Sequence, residues 1–301
     1  MSIARIACRA QVGLAAPPVE VEVYLGNGLP SFAIVGLAAT EVKESKERVR
    51  AALVHAGYEW PAGRITVNLA PADLPKDGGR FDLAIAIGLL AASGQVAGAS
   101  PARLAGLEFL GELGLAGELR PVRGALLAAR AAAVAGRALV LPRANALEMR
   151  LLPAIDVRAA ADLPEVCAAL DGRAALPLAR ELEWPAAAVA AGTGGSAPAR
   201  APAPAAAPSL ADVCGQALAK RALRVAAGGG HSLLLVGPPG CGKSMLAQRL
   251  PSLLPPLEPD EAIDVAAVAS VAGVAPAWAG PRAPRAPPPP PPAGAGIGGG
   301  A

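Results

Sequence analysis

The chain has 301 residues, 53% of them hydrophobic, and a formal net charge of +3 from 27 basic and 24 acidic side chains. The length allows two domains, and so mild a charge gives no argument for nucleic-acid binding. The four cysteines are scattered without C-x-x-C spacing, which predicts reduced thiols rather than zinc or disulfides. No stretch predicts a membrane span or a signal peptide, so we expect a cytoplasmic protein with no membrane partner.

Residues 1–180 form one compositional block in which strand and helix patterns mix without strict alternation, which predicts an α+β domain. Alternating apolar and polar residues predict strands, and apolar residues at helical spacing predict helices. The predicted strands are 19–25, its partner 32–35, 64–69, a hairpin of 108–115 with 118–122, and 138–141. The predicted helices are 40–55, 82–90, 124–134 and 162–170.

Two segments have compositions that cannot build a core. Residues 185–208 consist mainly of Ala, Pro and Gly with Arg200 as their single charge, which predicts a linker. Residues 281–301 contain six consecutive prolines and a glycine run, which predicts an extended tail. A second domain is therefore expected over residues 209–280, opening with a helix at 211–227.

A glycine-rich loop follows an apolar run in this second domain. The consecutive apolar residues 233–236 predict a strand buried on both faces, and residues 245–250 predict a helix. The loop between them matches the phosphate-binding pattern G-x-x-x-x-G-K-[ST] at every fixed position. Its residues are Gly237, Pro238, Pro239, Gly240, Cys241, Gly242, Lys243 and Ser244.

This loop predicts the binding of ATP with Mg²⁺. Its glycines let backbone N–H groups approach an anion. Lys243 can reach the outer phosphates, and the Ser244 hydroxyl can ligate the Mg²⁺ that the nucleotide carries. Hydrolysis also needs an apolar strand that ends in an acidic residue. The Asp260-Glu261 pair follows Glu258 and Pro259 instead, so we expect it in a loop or at a helix start, and the catalytic set to be incomplete.

Several exact runs in the chain match one known family. In the first domain they are Asn27-Gly28-Leu29-Pro30-Ser31-Phe32, Val42-Lys43-Glu44-Ser45, Ile65-Thr66-Val67-Asn68-Leu69-Ala70-Pro71-Ala72-Asp73-Leu74-Pro75-Lys76 and Gly117-Glu118-Leu119-Arg120-Pro121-Val122-Arg123-Gly124. In the second they are Asp212-Val213, Gly215-Gln216, Lys220-Arg221-Ala222-Leu223 and the phosphate loop. Over roughly residues 1–280 the chain resembles the YifB/ComM family of magnesium-chelatase-like AAA+ ATPases.

The resemblance implies a fold and an activity. The N-terminal domain, 1–180, would be α+β with the fold of the Lon protease domain, related to the second domain of ribosomal protein S5. It would be followed by an incomplete α/β P-loop AAA+ domain over 209–280. Family members form rings, usually hexamers, and are described as DNA-dependent ATPases that drive branch migration in natural transformation. Branched or single-stranded DNA would be the partner.

The resemblance also implies that the first domain is not a peptidase. Lon-type proteases use a Ser–Lys dyad, and the matching positions here hold Arg80 and Arg123. Arginine stays charged and cannot act as the base. The two arginines either form buried ion pairs, with Asp77 or Asp82, or contact phosphate or an acidic partner.

Two further stretches have open interpretations. Val213 and its neighbours Asp212, Gly215 and Gln216 lie where AAA+ proteins shape the adenine pocket, or they serve only as a helix cap and packing. The basic residues of helix 40–55, which are Lys43, Lys46, Arg48 and Arg50, either touch DNA or lie on a solvated face with the glutamates between them.

The leading hypothesis is thus an ATP-binding AAA+ DNA motor of the ComM type. The alternatives are a magnesium-chelatase-type subunit that drives metal insertion, and a truncated protein that binds nucleotide without hydrolysing it. Prolines stand where relatives have a pair of histidines near residue 288, so we also hypothesise that residues 281–301 arise from a shifted reading frame or a truncated gene model.

Overall fold

The computed structural model describes residues 2–37, 39, 42, 44–182, 209–255 and 257–273. Within them the chain forms two compact units. The first contains the described residues up to 182 together with 263–273, and the second contains 209–262. The first unit therefore takes residues from the C-terminal side of the expected domain 209–280. The predicted linker, 185–208, and the predicted tail, 281–301, lie outside the described residues.

The first unit is built on a mixed sheet of seven strands and a separate two-stranded hairpin. The sheet contains β1 (Ser2–Arg9), β2 (Pro18–Gly26), β3 (Ser31–Val35), β4 (Arg64–Ala70), β5 (Leu107–Phe109), β8 (Ala138–Pro142) and β9 (Val157–Ala160). The hairpin pairs β6 (Glu112–Leu113) with β7 (Leu119–Arg120). The strand order of the sheet is β3-β4-β2-β1-β5-β8-β9. β2 is antiparallel to both β1 and β4, whereas β3–β4, β1–β5, β5–β8 and β8–β9 are parallel pairs.

Five α-helices accompany this sheet in the described part of residues 2–182. They are α1 (Ser45–His55), α2 (Asp82–Ser93), α3 (Pro101–Leu104), α4 (Ala125–Val134) and α5 (Leu163–Leu170). Short 3₁₀ turns occur at Gly79–Phe81, Arg143–Leu151 and Ala179–Glu181. Helix α2 is buried almost all round, which explains its nearly continuous apolar sequence. A Cβ at Gly88 would lie 2.5 Å from Val23 Cγ2, so glycine lets α2 pack directly on β2.

The strand pairing differs from the prediction in two places. Segment 32–35 is a strand, but its partner is β4 rather than β2, because β4 inserts between them. Segment 108–115 is not one hairpin arm. Its first part belongs to β5 in the main sheet, and only Glu112–Leu113 pairs with β7. The predicted hairpin is therefore wrong at its outer end. The predicted helix start at residue 40 lies outside the described residues.

The second unit has a small core of Leu210, Val213, Leu223 and Leu246. Its helices are α6 (Ala217–Gly229), α7 (Lys243–Ala247) and the first turn of α8 (Pro259–Ala272), with 3₁₀ turns at Leu210–Asp212 and Pro251–Leu253. The predicted helix 211–227 is wrong at its start, because left-handed backbone at Gly215 (φ 66°) and Gln216 (φ 54°) separates the 3₁₀ turn from α6. Asp260 and Glu261 lie in the first turn of α8, as expected for a helix start.

The predicted strand at 233–236 is wrong. The segment has no regular secondary structure, and the side chains of Leu234 and Val236 are 85% and 86% exposed. A strand is stable only when its backbone groups pair with a neighbour, and no strand among residues 209–255 and 257–262 offers one. The apolar run before the phosphate loop is therefore mostly exposed in the described part of the second unit, with Leu235 partly buried against the core.

Candidate nucleotide-binding site

The phosphate loop joins the apolar run to helix α7. Gly240 and Gly242 have φ values of 82° and 88°, which side-chain-bearing residues rarely adopt. A Cβ on Gly237 would lie 2.9 Å from Cys241 Sγ, so a larger residue there would require the Cys241 side chain to move. The backbone geometry thus favours glycine at Gly240 and Gly242.

Lys243 folds back over this loop. Its Nζ donates hydrogen bonds to the carbonyl oxygens of Gly237, at 2.6 Å, and Pro238, at 2.7 Å. Cys241 Sγ lies 3.7 Å from the same ammonium group. Carbonyl oxygens satisfy an ammonium ion without neutralising it, and phosphate oxygens would do both. The loop therefore holds the Lys243 ammonium group over a set of glycine peptides, an arrangement that suits a polyphosphate.

Ser244 is the residue that the sequence pattern assigns to Mg²⁺. The residue lies exposed in α7, and the structure shows no hydrogen bond from its hydroxyl to another described residue. No cluster of three or more His, Cys, Asp or Glu side chains capable of holding a metal occurs in the described parts of the chain. The hydroxyl of Ser244 is accessible to a cation, and its ligation of Mg²⁺ stays a prediction.

The predicted adenine-pocket segment adjoins the loop. Gln216 Nε2 donates to the carbonyl oxygen of Cys241 at 3.1 Å, which ties the segment before α6 to the phosphate loop. Val213 is buried in the small core of the second unit, and its carbonyl oxygen accepts a hydrogen bond from Lys220 Nζ. Packing accounts for the Val213 side chain, and its contact with adenine stays a prediction.

The two arginines at the positions matched to the protease dyad come together in the first unit. Arg80 Nη2 donates to the carbonyl oxygen of Arg123 at 2.8 Å. The predicted ion pair with Asp82 is wrong, and Asp77 acts on Arg80 through its charge without an ion-pair contact among the described residues. Asp82 instead accepts from Arg48 Nε at 2.6 Å and from the Ser45 hydroxyl. Asp82 is fully buried, and its carboxylate accepts hydrogen bonds from side chains of α1. These bonds stabilise the Asp82 charge without Arg80.

This buried cluster also changes the interpretation of helix α1. The Asp82 carboxylate raises the pKa of the Arg48 guanidinium through their hydrogen bond. Arg48 is therefore part of the contact between α1 and α2 rather than a DNA-facing cation. Lys46 lies 3.7 Å from Glu47 on the exposed side of α1, and Lys43 is outside the described residues. The sequence carried a signal for this contact, because Ser45 and Arg48 lie one turn apart on a helix.

Comparisons with known proteins match both units. The model for subunit ChlI of Mg-chelatase matches residues 21–145, and a second model, for magnesium chelatase subunit ChlI, matches 209–300. YifB of Salmonella typhimurium, an uncharacterised protein, is 46% identical over 268 residues, and competence protein ComM of Haemophilus influenzae is 46% identical over 266. An uncharacterised protein of Mycobacterium tuberculosis is 40% identical over 267 residues. Each match covers 88% of this chain and 49% of the relative.

The chain thus spans about half the length of the curated relatives it matches. None of the described helices has the length and apolar character needed to cross a membrane. Two described features are candidates for a functional role: the phosphate loop of the second unit and the arginine pair of the first.

Proposed function

Because the chain belongs to the YifB/ComM family of magnesium-chelatase-like AAA+ proteins, we propose that it binds ATP with Mg²⁺ through the phosphate loop. The observation that carries this proposal is the position of Lys243, whose ammonium group is held over the loop by two carbonyl oxygens. In this proposal Gly237 to Ser244 enclose the phosphates, Ser244 ligates Mg²⁺, and Val213 borders the adenine.

We further propose that the complete protein is a DNA-dependent ATPase of the ComM type that acts on branched DNA as a homo-oligomeric ring, with a hexamer expected. This proposal is supported by 46% identity to a competence protein. The residues that would activate water and complete hydrolysis are expected in the part of the relatives that the match does not cover.

The first unit is proposed to be a Lon-type domain that has lost peptidase activity. The approach of Arg80 to Arg123 supports the alignment, because it brings together the two positions matched to the serine and lysine of a protease dyad. Neither guanidinium is a nucleophile or a base at neutral pH, so no acyl transfer is expected there.

ATP turnover tests the motor proposal. The chain is compared with a chimera in which it is joined to the part of Haemophilus influenzae ComM that the match leaves uncovered. We expect both to bind ATP and only the chimera to hydrolyse it, with faster turnover on a four-way DNA junction than on linear duplex of equal length. Turnover of the chimera that branched DNA does not change would contradict the motor role.

A metal-insertion motor is a second candidate, favoured by the names of the two matching family models. It predicts that ATP turnover by the chimera drives insertion of Mg²⁺ into a porphyrin and is indifferent to DNA. Turnover by the chain without its extension would exclude a protein that only binds nucleotide.

A further inference from the structure

A cavity of about 480 Å³ lies in the first unit beside the arginine pair. Its charged and polar lining comes from Gln11, Asp77, Arg80, Glu112 and Arg123, together with the glycine turn that precedes α2. A cavity of this size holds several water molecules or a small organic or inorganic ion. The polar atoms that face it therefore show which occupant it suits.

Arg80 is the unusual member of this lining. Only 7% of the residue is exposed, yet its Nη1 is buried and has no hydrogen-bond partner among the described residues. Its Nη2 is satisfied only by a neutral group, the carbonyl oxygen of Arg123. No described carboxylate forms an ion pair with Arg80. A buried cation left in this state is costly, and burial lowers the pKa of the Arg80 guanidinium accordingly.

Arg9 is a similarly buried arginine of the same unit, and it has a carboxylate partner. Arg9 is 5% exposed and binds Glu108 through two hydrogen bonds, from Nε at 2.6 Å and from Nη2 at 2.8 Å. That pair is complete within the protein. Arg80 has the burial of Arg9 without a bound carboxylate. The charge of Asp77 acts on Arg80 from beyond ion-pair distance and offsets the effect of burial only in part. An anion bound at Arg80 would supply the missing contact.

A second unsatisfied atom belongs to a residue of the same lining. Gln11 Oε1 is buried and has no donor within the described residues, while its Nε2 donates to the carbonyl oxygen of Gly13. The residues that line the cavity therefore include an unpaired donor on a cation and an unpaired acceptor. Asp77 and Glu112 also line the cavity, and Glu112 Oε1 lies 3.9 Å from Arg120 Nη1. These carboxylates disfavour a multiply charged anion and favour a singly charged one.

We propose that this cavity is a binding site for a small oxyanion of phosphate or carboxylate chemistry. Arg80 Nη1 donates to one of its oxygens, and Arg123 adds positive charge at the exposed side. A protonated oxyanion such as dihydrogen phosphate also supplies an O–H to Gln11 Oε1. The site is separate from the phosphate loop and does not depend on the proposed binding of ATP.

Thermal unfolding of the full chain tests the site, with Lys243→Ala in every sample so that the phosphate loop does not contribute. Sodium phosphate and sodium acetate are titrated separately against sodium chloride at equal ionic strength. We expect at least one of the two anions to raise the unfolding temperature saturably. The two series distinguish a phosphate source from a carboxylate source. If neither exceeds chloride, the proposal fails.

Arg80→Met assigns the effect to the cavity, and Arg150→Met at an exposed position serves as its matched control. We expect Arg80→Met to abolish the saturable shift, and the control to keep it. In anion-free buffer Arg80→Met should unfold at the parent temperature or above, because it removes a buried charge that has no counter-ion. Marked destabilisation in that buffer would show that the protein itself compensates Arg80, and would overturn the proposal.

Arg123→Gln provides a test that leaves the buried guanidinium in place. Its backbone carbonyl still accepts from Arg80, and only the exposed charge is lost. We expect the apparent affinity for the anion to fall at least tenfold. An unchanged midpoint would contradict the role assigned to the pair.

Discussion

Glu108 is a fully buried carboxylate in the centre of the main sheet. It binds Arg9 through both of its oxygens, and Arg137 Nη1 lies 3.6 Å from Oε1. Its position on β5, between β1 and β8, places the charge where water cannot reach. The pair is therefore sensitive to the loss of Glu108, since Arg9 would stay buried without this carboxylate.

Replacing Glu108 with Gln should destabilise the first unit by about 3–5 kcal/mol, the usual effect of breaking a buried ion pair. Denaturant unfolding followed by circular dichroism measures the loss. Glu181→Gln, at an exposed residue 3.9 Å from Arg180, is the control and should cost about 0–1 kcal/mol. Equal effects of the two substitutions would show that the buried pair adds nothing.

Lys243 is the single residue on which the proposed nucleotide binding depends most. Lys243→Ala removes the ammonium group that the loop holds with two carbonyl oxygens. We expect the affinity for Mg²⁺–ATP to fall at least tenfold, because a charge-assisted contact with the phosphates contributes about 1.5–3 kcal/mol. Isothermal titration calorimetry measures the change, with Lys46→Ala on helix α1 as the control. An affinity that survives Lys243→Ala would place the nucleotide elsewhere.

At the scale of elements, α8 is fixed to the first unit by polar contacts at its C-terminal end. The Ser270 hydroxyl donates to Glu148 Oε2, and the Gly124 N–H donates to the Ser270 carbonyl oxygen at 3.0 Å. Asn145 Nδ2 donates to the other carboxylate oxygen at 3.0 Å. Burial raises the pKa of Glu148, and these hydrogen bonds reduce the shift without cancelling it.

This raised pKa predicts a pH dependence of stability. The contribution of Glu148 to folding is fully present below the unfolded-state pKa and is lost as the pH rises through the higher folded-state pKa. Glu148→Gln, which cannot ionise, should therefore lack this loss. We expect the free energy of unfolding of the variant, relative to the parent chain, to increase from pH 4 to pH 8. Parallel pH profiles from denaturant unfolding would contradict the assignment.

The elements also show what sequence patterns can and cannot predict. The alternation in segments 19–25 and 64–69 revealed strands, because one face of each is buried. The order of the strands in the sheet leaves no such pattern in the sequence. β4 separates β2 from β3, and the three-residue β5 joins strands distant in sequence. The run at 233–236 has the composition of a buried strand, yet a strand forms only when a partner is present.

The candidate site was predictable to a different extent. The phosphate loop follows from a local pattern, so every one of its residues could be named from the sequence. The unpaired state of Arg80 depends on which carboxylates the fold brings near, and Asp82 proved to be bound by Arg48 and Ser45 instead. Such long-range partners leave no periodic trace in the sequence.

At the scale of the whole molecule, we connect two observations. The apolar run before the phosphate loop is mostly exposed, and the chain matches only 49% of the length of its relatives. We expect the remainder of a relative to supply strands that pair with residues 233–236. Hydrogen–deuterium exchange should show fast exchange of these amides in the chain and strong protection in the ComM chimera. The β2 amides are the internal control and should be protected equally in both proteins. Fast exchange at 233–236 in the chimera would refute this pairing.

Helix α8 has a consequence for how the polypeptide can be cut. The first unit includes residues 263–273, where Ala266 and Ala267 are buried in its core, although they follow the phosphate loop in the sequence. Residues 209–262 of the second unit are thus flanked in the sequence on both sides by residues of the first unit. A protease that cleaves within residues 185–208 should produce two fragments that still elute together in size-exclusion chromatography. Separation should require denaturant, because one fragment carries a helix on which the core of the other depends.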